Sequence, residues 1–73
     1  IIYLWKHHVM KCNEVLRLLK ENGWTVIGQR GSHMKMINEQ NPEMGIIIFP
    51  NHGSAELGKG LEKKLLKQAG IKR

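Results

Sequence analysis

Seventy-three residues make one domain, small enough that a single apolar core is marginal, and one cysteine, Cys12, excludes a disulfide staple and fits a reducing cytoplasm better than a secreted scaffold. Twelve lysines and arginines against six acidic residues give a formal net charge of +6, which favours a polyanionic partner: nucleic acid, an acidic protein or an anionic surface. Aromatic residues are only 5% of the chain, which weighs against a base-stacking platform, and no apolar run reaches the roughly 20 residues of a membrane span.

In chain order, Ile1–Val9 stands apart from the rest of the chain. Ile1-Ile2-Tyr3-Leu4-Trp5 is apolar but shorter than a signal-peptide core of about 7–15 residues, and His7-His8 is too short for a usual affinity tag. The segment reads as a leader, an upstream extension or expression remnant. The other reading is a genuine element packed on the domain. The domain proper is expected over 10–73.

Residues 12–22 are expected to be helical. Cys12, Val15, Leu16 and Leu19 recur at helical spacing with Leu18 beside them, Glu14, Arg17, Lys20 and Glu21 take the other side, and Asn22-Gly23 is a stop. Residues 24–30 form a strand with Trp24, Val26 and Ile27 as β-favouring bulk. Arg30-Gly31 turns tightly into a second strand over 32–38, whose period of two puts Met34 and Met36 on one face and His33 and Lys35 on the other. Residues 39–45 are a polar loop. Ile46-Ile47-Ile48-Phe49 is a short apolar strand ended by Pro50.

After a loop over 51–60, a last helix is expected from near Gly58–Leu61 to Ala69, with Leu61, Leu65 and Ala69 inside and Leu57 leading in. Lys59, Lys63 and Lys67 fall opposite, and Gly70 ends the helix. The fold class is therefore α+β, in the order α-β-β-β-α. A three-stranded antiparallel sheet is covered on one face by two helices, the arrangement of the double-stranded-RNA-binding fold.

Four segments in this frame carry a family resemblance. Glu14-Val15-Leu16-Arg17-Leu18-Leu19 with Asn22-Gly23-Trp24 resembles the opening helix and first strand of HicA toxins. Gly31-Ser32-His33 resembles that family's active-site motif, Pro50-Asn51-His52 its loop after the third strand, and Leu65-Leu66-Lys67-Gln68-Ala69-Gly70-Ile71 its closing helix. The resemblance covers 10–71 and rests on the ordered set, since Gly-Ser-His alone is a weak tripeptide. It implies a double-stranded-RNA-binding-like fold, a ribosome-independent mRNA endonuclease, and a silencing antitoxin of the HicB type. Leu61 departs from the pattern, standing where relatives often carry a hydroxyl residue, and Ile1–Val9 has no counterpart.

RNA supplies its own nucleophile, the 2′-hydroxyl, so cleavage needs a base, an acid and positive charge near the phosphate. Histidine suits the proton transfers, its ordinary pKa being near 6.5. His33 is thus the candidate general base or acid of a metal-free transesterification. Gly31 leaves room for the RNA backbone, Ser32 offers a hydrogen bond to a phosphate oxygen, and Lys35 shares His33's face. Arg30, Lys59 and Lys63 are further candidates for contact with RNA phosphates. The competing reading of His33 is a solvated strand residue, and that of the lysines a solvated helix face.

His52 is a candidate second acid or base and equally an ordinary loop residue. Cys12, on an apolar helix face, reads as core rather than nucleophile. No zinc-type spacing links Cys12 with the histidines, so no metal or cofactor is expected. The rival function is a non-catalytic RNA-binding module that reads A-form shape, and after it a binder of acidic proteins or anionic surfaces.

Overall fold

The computed structural model describes residues 10–71; the reading of Ile1–Val9 as a leader falls outside the described residues. The elements are α1 (Cys12–Glu21), β1 (Trp24–Arg30), β2 (His33–Asn38), a 3-10 turn (Pro42–Met44), β3 (Ile46–Pro50) and α2 (Lys59–Gln68). The sheet is antiparallel in the order β1-β2-β3. This is the α+β, double-stranded-RNA-binding-like architecture expected from the order of elements.

The core lies between one face of the sheet and both helices. Trp24, Met34, Met36, Ile47 and Phe49 come from the strands; Cys12, Val15, Leu19, Leu65, Leu66 and Ala69 come from the helices. Each large apolar side chain sealed this way contributes roughly 1.5–3 kcal/mol relative to exposure. Cys12 is fully buried, as expected of a small core residue. Leu57 and Leu18 pack against the cluster from its margin.

The inner stripe of α2 differs from the expected one. Leu61 is 38% exposed, and the buried positions are Glu62, Leu65, Leu66 and Ala69, a regular i, i+3, i+4, i+7 set. A carboxylate occupies the first of these because the Met10 N–H donates to Glu62 Oε1 at 3.0 Å, and a buried charged group is tolerable when so partnered. The helix ends as expected at Gly70, with φ +74°. Ile71 N donates to Leu66 O at 2.9 Å and Gly70 N to Lys67 O at 3.1 Å, the paired bonds of a Schellman motif.

The long loop after β3 is tied down at several points. Asn51 N donates to Ser32 O at 2.7 Å, Cys12 N to Ala55 O and Asn13 N to Gly53 O, both at 2.9 Å, and Leu57 N to Met10 O at 3.2 Å. Two of these bonds satisfy amides in the first turn of α1, which have no intrahelical partner. The loop therefore serves as the cap that Lys11, at the N-cap position, gives through no side-chain hydrogen bond. A buried Asn38 ties the other end of the sheet. Its Nδ2 donates to Asn22 O, and its Oδ1 accepts from Gln40 N and Asn41 N.

Candidate active site

Among the described residues nothing covers the face of the sheet away from the helices, and cross-strand pairing arranges its side chains in rows. Residues directly opposite one another project on the same side. Arg30 pairs with His33 and His33 with Pro50; Gly28 pairs with Lys35 and Lys35 with Ile48; Thr25 pairs with Ile37 and Ile37 with Ile46. His33 and Lys35 are exposed while Met34 and Met36 are buried, so the period of two in β2 is as the sequence predicts.

Arg30 reaches this face through an irregularity. Counting alternately from the buried Trp24, Arg30 would project inward with Val26. Between Val26 and Gly28 the register shifts, and Ile27 is an extra residue with no partner of its own. The bulge reverses the parity of the strand, and the last residue of β1 emerges beside His33. Re-aiming a side chain next to a functional site is a recurrent use of such bulges.

The connection from β1 to β2 is a two-residue turn, Gly31-Ser32, between the paired Arg30 and His33. Gly31 has φ +61° and Ser32 does not share that sign, the pattern of a turn that needs glycine at its first central position. Gln29 Nε2 donates to Gly31 O at 3.0 Å and braces it. Gly31 is therefore required by the hairpin itself. Its α-carbon is also unobstructed, since a Cβ built there would meet nothing within 4 Å.

Arg30, His33 and Lys35 line one open depression of about 500 Å³, together with Ile27, Gly28, Gln29 and Ile48. Among the described residues no hydrogen bond or ion pair fixes the His33 imidazole, which leaves both ring nitrogens available to a substrate. Ser32, half-buried in the turn, accepts the amide of Asn51 through its carbonyl. That bond sets the Asn51-His52 segment beside the motif, with His52 exposed.

Lys59 and Lys63 are exposed on α2, in the layer across the sheet from His33. They do not line the depression. Among the described residues no group of three or more His, Cys, Asp or Glu side chains could hold a metal ion, and no helix is long and apolar enough to cross a membrane.

Sequence reasoning missed Ile27, Gly28, Gln29 and Ile48 as parts of the site. An isolated glycine inside a strand was the available signal, because such a glycine often marks a bulge or a close approach.

Residues 12–71 match the family described as the HicA toxin of bacterial toxin–antitoxin systems. A curated relative, the probable mRNA interferase HicA of Pseudomonas fluorescens (strain Pf0-1), is 39% identical over 64 residues, which span 86% of this chain and 98% of the relative. No solved structure matches the chain significantly. A family match over most of the described fold, and a relative aligned over nearly its whole length, leave one assignment: the chain belongs to the HicA toxin family.

Proposed function

We propose that the chain is an endoribonuclease that cleaves mRNA by metal-independent proton transfer at His33. The observation that carries the reading is the row Arg30–His33, with Lys35 next along β2, all lining one open depression. An exposed imidazole between two cations is suited to a phosphodiester. The name of the relative, a probable mRNA interferase, supports the same activity.

In the proposed reaction the 2′-oxygen attacks the adjacent phosphorus as its proton passes to a base. The bond from phosphorus to the 5′-oxygen breaks, and that oxygen takes a proton from an acid. The products are a 2′,3′-cyclic phosphate and a 5′-hydroxyl, so atoms balance without water or a metal. His33 acts as the base or the acid. Arg30 and Lys35 offset the charge on the non-bridging oxygens, where preorganised donors have most effect. Ser32 contributes a hydrogen bond to the phosphate, and the turn at Gly31 leaves the approach clear.

His52 is the proposed second proton-transfer group, on the ground that the Asn51–Ser32 bond holds its loop against the motif. Lys59 and Lys63 would contact RNA beyond the depression. The toxin domain over 10–73 carries the site and acts in the cytoplasm, and an antitoxin of the HicB type neutralises it.

The test is cleavage of a purified mRNA by wild-type protein and by His33→Ala, in the presence of a chelator. Wild-type cutting with a loss of at least about 100-fold in the variant is the expected result. Equal cleavage by both removes His33 from the mechanism. RNA binding without cleavage by either would assign the chain to non-catalytic RNA binding.

A further inference from the structure

The open face carries more apolar surface than phosphate chemistry requires. Ile27 and Ile48 are 52% and 50% exposed. They flank Lys35 in the middle row, and with Gly28 they floor the depression that also exposes His33 and Arg30. We propose that this floor seats one unstacked nucleobase of the RNA, beside the phosphodiester held at the His33 row. The inference rests on the ribonuclease reading and adds a base-binding subsite to it.

The spacing fits. Same-face residues along a strand lie roughly 7 Å apart, about one nucleotide step of an extended strand. A phosphate over Arg30–His33 therefore leaves a neighbouring base within reach of the Ile27–Lys35–Ile48 row. The space fits as well. Gly28 is the partner of Lys35, and a Cβ added to it would meet nothing within 4 Å. The floor is open where any other residue would project into it. The bulge contributes by placing two consecutive residues, Ile27 and Gly28, against one residue of β2.

The chemistry selects the occupant. Two branched aliphatic side chains suit the flat apolar face of a base, while the Lys35 ammonium beside them stays with the phosphate. A second copy of the chain is a poor fit. A two-fold contact brings the same patch of each subunit together, which would crowd Arg30, His33 and Lys35 against their own counterparts, and like charges so placed cost several kcal/mol. An apolar group tethered to a polyanion meets both requirements of the surface.

The experiment uses a short RNA with one cleavage site and a set of versions in which a single base near the cut is replaced by an abasic ribose. For the wild-type chain, removal of one particular base is expected to lower kcat/KM about tenfold. Ile48→Ala and Gly28→Leu are each expected to reduce that dependence to about twofold or less, because the seat is lost or filled. Ile48 is half exposed, so its variant keeps the fold even if Gly28→Leu does not; thermal melting checks both.

Wild-type cleavage that is indifferent to every abasic position overturns the proposal, as does full base dependence retained by Ile48→Ala. Base-indifferent cleavage together with loss of a purified HicB-type protein's binding in Ile48→Lys would give the floor to a protein and also overturn it. No cleavage of any RNA by the wild type is a separate result, which overturns the ribonuclease reading itself.

Discussion

The two faces of the sheet are cut from the same three strands and differ in almost every physical respect. On the inner face Trp24, Met34, Met36, Ile47 and Phe49 are sealed beneath the helices. On the outer face Arg30, His33 and Lys35 stand in solvent beside half-exposed isoleucines. β2 shows the division most clearly, since its six residues alternate between the two. A strand that supplies both core and site leaves little freedom to slide, because a slip of one residue would bury His33 and Lys35 and expose both methionines.

Substitutions on opposite faces should therefore separate activity from stability. The largest effect is expected from His33→Ala: RNA cleavage falls by about 100- to 10,000-fold, while the unfolding midpoint in urea stays near that of the wild type. A variant that loses activity and stability together would show that the ring is part of the packing. Next comes the buried counterpart. Phe49→Ala is expected to cost about 3–5 kcal/mol in equilibrium unfolding, a large share of the total for so small a domain. If it melts like the wild type, the core assignment is wrong.

Arg30→Ala sharpens the comparison further. It should weaken RNA binding in all sequences alike and lower the salt slope of log affinity by about one unit. An unchanged slope would mean that the bulge turns Arg30 towards something other than phosphate. The smallest effect is expected at the turn. Gly31→Ala places a side chain at φ +61° and should cost about 1–2 kcal/mol of stability, measured by thermal or urea unfolding. No loss would indicate that the turn relaxes to another form.

Most of this division was legible in the sequence. The apolar spacing of α1, the alternation in β2 and the glycines that end the helices depend on near neighbours, so pattern alone located them. His33 and Lys35 were placed together for the same reason. What escaped depends on partners far along the chain. Arg30 stands out for its charge beside the motif, but how it reaches the outer face was not legible: simple alternation from Trp24 would turn it inward, and the register shift at Ile27 that brings it out is a property of pairing with β2. Leu61 looked a better core residue than Glu62 because a carboxylate usually seeks water. Its burial is made possible by the amide of Met10, 52 residues away. Asn38 likewise looked like the end of a strand, and its burial reflects three backbone groups that converge on it.

The extra residue at Ile27 also bears on what could pair with the borders of the sheet. A three-stranded sheet has two borders, β1 and β3, and an unpaired border invites a foreign strand to extend the ladder. Along β1 the repeat of donors and acceptors breaks at Ile27, so an added strand would fall out of step midway. Along β3 the run is five residues and finishes at Pro50, which has no N–H to offer. Both borders are thus poor templates for polymerisation.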